Sequence, residues 1–284
     1  MKSKVVIITG ASQGLGLELA KRFINSGQRV LLCARNVSNL KKKLQSINFD
    51  NKKVIIKESD ISNLNNVRNI VKICLKKFGQ IDVLINNAGI LGPKGSFGSF
   101  NFNEFKKTVD INFYGSVLMC KEVLPHFKRK KSGKIIQLSG AGAVNSMPMF
   151  SAYAASKAAI VRFSETLADE VKKFNIQVNS VAAGAINTQM LDEIIRAGEK
   201  KVGKEMYSRI KKQKKNGGIP FSVVTDLIQF LASDRSGKIT GKLLSPKWDN
   251  WKILKKNIKV ILKSDVFTLR RLRGKDRKLN KLDN

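Results

Sequence analysis

Residues 5–16 read VVIITGASQGLG, an apolar and β-branched run that breaks into three spaced glycines, and LELAKRFINS follows at helical spacing over 17–26. Strand, glycine turn and helix in that order predict a βα unit whose turn faces a phosphate. Gly10, Gly14 and Gly16 let the backbone turn sharply, approach a pyrophosphate and pack helix on sheet. The first turn of the helix adds amides and partial positive charge, with Ser12, Gln13 and Leu15 completing the loop as cofactor contacts.

Working outward, short β-branched runs recur at VLLCA (30–34), KVIIKE (53–58), IDVLIN (81–86), GKIIQLS (133–139), IQVNSVAAG (176–184) and KLLS (242–245). Segments 14–26, 38–47, 63–78, 104–128 and 153–174 between them have helical period with lysines on the remaining face, and another helix is expected near 221–233. Continuous apolar strands separated by helices specify an α/β fold, a doubly wound, Rossmann-type parallel sheet of seven strands with helices on both faces. Its ligand crevice lies at the strands' carboxyl ends. One domain over 1–249 is expected, with 250–284 as a basic extension whose end, RRLRGKDRKLNKLDN, is too charged to build a core.

The chain has 284 residues, 42% of them hydrophobic, and a formal charge of +33. Lysines are spread along most helices, which reads as a solvated basic surface rather than a specific polyanion site. Two windows exceed that background: 198–217 holds eight Lys/Arg against two Glu, and 242–284 holds fourteen against four Asp. The segment 188–215 is amphipathic as well as basic; its lysines suit an acidic substrate, and its apolar stripe suits ordinary packing. Cys33, Cys74 and Cys120 are far apart in apolar stretches and read as buried free thiols. The single histidine, His126, is placed on an exposed helix end, and neither a zinc site nor a histidine triad can be assembled. With no long apolar run and no signal-type leader, a cytoplasmic protein without a membrane span is expected.

At the end of the second strand the chain offers Ala34-Arg35 where an NAD site would place an acid on the ribose 2′-hydroxyl. A guanidinium there suits a 2′-phosphate, so NADP(H) is preferred, with NAD(H) as the alternative. Tyr153 and Lys157 are i and i+4 and project from one helical face. An ammonium beside a phenol, with the cationic nicotinamide ring of an oxidised complex, stabilises phenolate, which predicts a lowered Tyr153 pKa there and acid–base work on a hydroxyl or carbonyl.

TGASQGLG, Asp60-Ile61, NNAG (86–89), Asn112 within VDINFYG, Ser139 and YAASK (153–157) stand in one order, and over about 4–245 the chain resembles the short-chain dehydrogenase/reductase (SDR) family. The resemblance implies a carbonyl–alcohol oxidoreductase working by hydride transfer. It assigns Asp60 and Ile61 to adenine, Asn87, Ala88 and Gly89 to the cofactor beside strand four, and Gly184, Ile186 and Thr188 to the nicotinamide. Asn112 would kink helix four and hold a relay water, and Ser139, Tyr153 and Lys157 would complete the catalytic set. In most members the serine lies thirteen residues before the tyrosine; Gly140 stands there, while Ser139 keeps the local SxxG pattern and is taken as the substrate-orienting hydroxyl. Ser146 and Ser151 read as loop and helix N-cap residues. A second departure is Ala183-Gly184 in place of Pro-Gly. The resemblance also implies that 188–215 closes over the crevice, and a homodimer or homotetramer built on the helices at 104–128 and 153–174.

The substrate is a small carbonyl or alcohol, with acidic and sugar-linked compounds both left open. Two other classes compete. Epimerisation or dehydration of a nucleotide-linked sugar is loosely suggested by the tail GKLLSPKWDNW. A non-catalytic cofactor- or RNA-binding role is suggested by the charge, although the aromatics, 7% of the chain, form no RNA-reading module and no specific nucleic acid is expected.

Overall fold

Seven parallel strands form one sheet in the order β3-β2-β1-β4-β5-β6-β7 in the computed structural model, which describes residues 3–45, 47–254 and 256–278. The strands are β1 (Val5–Thr9), β2 (Arg29–Ala34), β3 (Val54–Glu58), β4 (Val83–Asn86), β5 (Gly133–Ser139), β6 (Ile176–Ala182) and β7 (Leu243–Leu244). Strand alternation divides the apolar side chains between two faces. Val6, Ile8, Val30, Leu32, Ile85 and Ile136 face one apolar layer, and Val5, Ile7, Leu31, Leu84, Ile135 and Val178 face the other. Both layers are closed, so truncating a core residue such as Ile7 to alanine costs about 2–5 kcal/mol.

Helices α1 (Gly14–Asn25), α2 (Val37–Leu44) and α10 (Phe221–Ala232) cover the first face, and α3 (Leu64–Phe78), α5 (Gly115–Lys130) and α6 (Ser151–Val171) the second. Asn36 and Asn63 cap α2 and α3 by accepting from the Asn39 and Asn66 amides at 2.9 and 3.1 Å. The order of the strands reverses between β1 and β4, where the chain winds first to one side and then to the other, and the crevice opens there.

The single helix expected over 104–128 is instead α4 (Phe102–Val109) and α5, joined by a π-turn at Asp110–Tyr114. The extra residue per turn rotates Asn112 into the interior. His126 is not a free surface residue, since its Nε2 accepts from the Ile81 amide at 3.1 Å. Ser151 is the first residue of α6 and not its N-cap; Phe150 holds that position, and the buried Ser151 hydroxyl has no partner among the described residues. The three cysteines are free and buried.

The basic segment after β6 folds as α7 (Gln189–Ala197), α8 (Glu199–Val202) and α9 (Lys204–Asn216). Beyond β7 the chain turns back onto the domain, with Leu254 and Ile261 buried in the first apolar layer. Lys242 Nζ donates to the Ser264 and Val266 carbonyls, each at 2.9 Å, and the Leu243 amide donates to the Phe267 carbonyl at 2.7 Å. The extension therefore covers the β7 edge of the sheet, which would otherwise present unpaired backbone groups. Residues 279–284, the charged end, lie outside the described residues. Among the described residues no helix is long and apolar enough to cross a membrane.

Candidate active site

A cavity of about 1240 Å³ opens at the carboxyl ends of the central strands. It exceeds the roughly 300–1,000 Å³ typical of a single small-ligand pocket, leaving room for two ligands end to end. Every residue expected to touch a cofactor lines it, as do Ser139, Tyr153 and Lys157.

The loop after β1 forms the floor. Gly10 has φ +66°, and a Cβ there would lie 2.7 Å from the Ala88 Cα. A Cβ on Gly16 would overlap the Gly10 carbonyl, so α1 can approach the loop only as glycine. Asn87 donates from Nδ2 to the Thr9 and Gly10 carbonyls at 3.0 and 3.1 Å, while the Asn87 and Ala88 amides donate to Thr9 Oγ1 at 3.0 and 3.1 Å. Asn87 thus holds the loop in shape. Gln13, at the N-cap of α1, makes no side-chain cap, and the first turn has no acid. The helix end is electropositive and its amides face the cavity, which suits a phosphate.

At one end the exposed Arg35 stands beside Asn36 and Asp60. Burial pushes Asp60 upward, but bonds from the Ser62 hydroxyl and amide, with Arg35 and Lys107 nearby, hold it below the usual carboxylate range. Asn39 Nδ2 and Lys43 Nζ both donate to the Ser12 carbonyl at 3.3 Å, tying α2 to the loop.

At the centre, Tyr153 and Lys157 project from one face of α6, with Lys157 Nζ 5.7 Å from the Tyr153 ring centroid. Lys157 Nζ donates to the Leu138 carbonyl at 2.7 Å. Burial pushes Tyr153 up to about 12 and Lys157 down to about 8. The protein alone raises the phenol, because loss of water around it disfavours the phenolate; the expected lowering counts the charge of an oxidised nicotinamide as well. Asn112 does not line the cavity. It lies behind Gly89, accepting from the Ile90 amide at 2.8 Å and donating to the Ile90 carbonyl at 2.9 Å and to Ser156 Oγ at 3.0 Å. A Cβ on Gly89 would meet both Asn112 Oδ1 at 3.1 Å and Lys157 Nζ at 3.5 Å, so these two groups share one wall. Ser139, expected to orient a substrate oxygen toward Tyr153, lines the cavity with Tyr153 and Lys157, and its Oγ donates to the Lys157 carbonyl at 3.4 Å.

At the other end the walls are apolar. Leu91, Met147, Met190, Leu191, Met206 and Ile210 enclose it, with Tyr153 at its inner edge. α7 and α9 close over this chamber, as the family resemblance implies for 188–215. Arg209, Lys212 and Lys247 stand on its lining, and among the described residues none has a carboxylate within 4.0 Å. The nearby acids are neutralised elsewhere, Asp192 by Lys214 at 2.5 Å and Glu193 by Lys94 at 3.4 Å. Lys247 lies 4.4 Å from the ring centroid of Trp248, which is 76% exposed at the mouth. Sequence reasoning missed the contribution of 246–248 and did not single out Arg209 and Lys212 within the basic 188–215 segment. The available signals were the position of SPKW after the last strand and the spacing of Arg209 and Gln213 with Met206 and Ile210.

Residues 4–198 match the family described as short chain dehydrogenase. A fatty acyl-CoA reductase of Acinetobacter baylyi is 35% identical over 192 residues, 67% of this chain, and the matched stretch spans only 65% of that relative's length. The structure of ElxO with NADP bound superposes with a TM-score of 0.75 at 28% identity, covering 86% of this chain and 96% of the other. A 3-ketoacyl-(acyl-carrier-protein) reductase from Brucella melitensis, complexed with NADH, gives a TM-score of 0.74 at 27% identity, covering 85% and 96%.

Proposed function

Because the chain belongs to the short-chain dehydrogenase family and is an oxidoreductase of that family, we propose that it uses NADP(H) to interconvert a carbonyl and a secondary alcohol, with Tyr153 as acid and base. The observation that carries this reading is the meeting of Tyr153 and Lys157, side by side, with an uncapped, glycine-cradled helix end in one cavity. The residues present fit a dinucleotide: Gly10 and Gly16 let the loop pack against Ala88 and the helix end pack against the loop, which sets the first turn of α1 on the cavity lining for a pyrophosphate, and Arg35 offers a 2′-phosphate charge-assisted bonds. Neighbours bound to NADP and to NADH support a nicotinamide cofactor, and Arg35 favours the phosphorylated form.

When bound, the cofactor supplies or accepts a hydride. Tyr153 holds the proton at the substrate oxygen, giving it in reduction and taking it in oxidation. Burial keeps the phenol protonated in the protein alone, the form that reduction of a carbonyl starts from, and oxidation of an alcohol starts from the phenolate. Lys157, fixed by the Leu138 carbonyl, stabilises the phenolate left behind. Asn112 buttresses the Ile90 segment and Ser156 beside them.

The apolar chamber with unpaired cations on its lining fits a substrate whose carbonyl sits on an apolar body bearing an anionic group. The acyl-CoA reductase relative is in keeping with that combination. The nucleotide-sugar alternative needs hydroxyl-binding walls, which Leu91, Met147 and Met206 do not offer. We also place the cofactor-binding unit at 1–249 with 250–284 as an extension packed on it, in the cytoplasm, where three free thiols persist, and as a homodimer or homotetramer. Exposed Phe97, Phe102 and Tyr114 around α4 support self-association.

The test follows loss of NADPH absorbance with three panels: acyl thioesters and carbonyl acids, neutral carbonyls, and nucleotide sugars. The reading expects turnover in the first panel, with KM rising about tenfold in R209A/K212A while NADPH affinity holds. Sugar conversion without net NADPH consumption overturns it.

A further inference from the structure

We propose that Gly140, not Ser139, sets the position of the Tyr153 phenol, and that the substrate oxygen meets Tyr153 with no serine hydroxyl beside it. Residues 139 and 140 are consecutive in extended backbone, Gly140 having φ −166° and ψ 175°. Successive side chains in such backbone leave on opposite sides, so only one of the two positions can face Tyr153. A Cβ built on Gly140 would lie 2.6 Å from the Tyr153 hydroxyl oxygen and 3.4 Å from Cζ. Position 140 is the one that faces the phenol, and it carries no side chain.

Ser139 leaves the strand on the other side. Its Oγ, in a buried residue, lies 3.4 Å from the Lys157 carbonyl, while Lys157 Nζ returns to the carbonyl of Leu138. The end of β5 and Lys157 are thus clipped from both directions, and Ser139 is a positioning residue for the lysine. Gly140 is extended, a conformation open to any residue, so contact and not backbone freedom makes glycine necessary. Among the described residues Tyr153 receives no hydroxyl partner from Ser139 or Ser156, whose Oγ donates to the Tyr153 carbonyl at 2.7 Å. A reductase built this way polarises the carbonyl by the phenol alone.

The chemical consequence rests on the reading of Tyr153 as proton donor; the geometry does not. The test uses the full chain labelled with [13Cζ]tyrosine. The chain has three tyrosines, and Y153F assigns the resonance of interest. S139A leaves the Tyr153 resonance in place and lowers NADPH-dependent turnover about fivefold or less, as the loss of one long hydrogen bond implies. G140A moves the resonance, because the added methyl displaces the phenol, and lowers turnover at least tenfold. A Tyr153 resonance that moves in S139A, or a fall in turnover of about a hundredfold or more, as removal of a donor to a developing oxyanion gives, overturns the proposal. Should G140A not fold, the S139A arm decides. If no carbonyl is reduced by the parent protein, the oxidoreductase reading fails by itself and the resonances still judge the geometry.

Discussion

Lys157 reaches 2.7 Å from the Leu138 carbonyl, so a buried ammonium is anchored at the end of β5 and not at a carboxylate. Burial holds Lys157 at about 8, against 10.5 in water, and does the same to Lys134. Between those values the unfolded chain binds more protons than the folded one, so stability rises as pH rises. Below pH 8 the cost of burying both charges is fully present. Each lysine contributes a rise of at most roughly 3 kcal/mol toward pH 10. Urea unfolding at pH 7, 8, 9 and 10 is expected to show that rise, and K157M to lose about half of it. Above pH 10 Tyr153 acts in the opposite sense, since its phenol stays protonated to about 12 when folded.

Y153F removes one hydroxyl from the cavity and leaves its walls. Turnover should fall by about 10²–10⁴-fold, the usual share of a general acid. NADPH affinity, followed by cofactor fluorescence, should change by about twofold at most. Equal loss of binding and turnover would make Tyr153 a packing residue.

Arg35 is the cation at the end of the cavity where the second strand stops. R35A should weaken NADPH binding by about 10- to 150-fold, corresponding to hydrogen bonds to a charged group, and leave NADH binding nearly unchanged. The ratio of the two dissociation constants is the measurement. An unchanged ratio would return Arg35 to the ordinary basic surface.

These residues also show what could be read without coordinates. Alternation of VVIIT with helical period placed the sheet, and i, i+4 spacing placed Tyr153 and Lys157 on one face, because both are local periodicities. For the neighbour of Tyr153 two signals conflict, the thirteen-residue spacing that points to Gly140 and the SxxG pattern that points to Ser139. Choosing between Ser139 and Gly140 depends on where the strand's alternation stops, and the extended backbone carries it one residue further than the SxxG pattern suggested. The cationic lining was legible only as a segment: the basic stretch 188–215 pointed to an acidic substrate, but which of its cations stay unpaired waits on seeing Asp192 and Glu193 neutralised by Lys214 and Lys94, and Lys247 joins them from beyond it. Long-range pairing decides such cases, and no window of sequence contains it.

The extension past β7 offers a last prediction. Lys242 is buried, and among the described residues its ammonium donates to the Ser264 and Val266 carbonyls, while Glu165 Oε1 accepts from the Leu269 amide at 2.6 Å. K242M keeps most of the stem's packing and removes the two charged bonds, leaving both carbonyls to find water. The expected loss is about 1–3 kcal/mol, felt first where the extension meets the sheet. Amide exchange should therefore speed up at least tenfold at Leu243 and Leu269, while amides of β1 and β4 keep their protection and NADPH still binds. Were exchange at Leu243 unchanged, the edge of the sheet would not depend on this clasp, and the extension would be held by Leu254 and Ile261 alone.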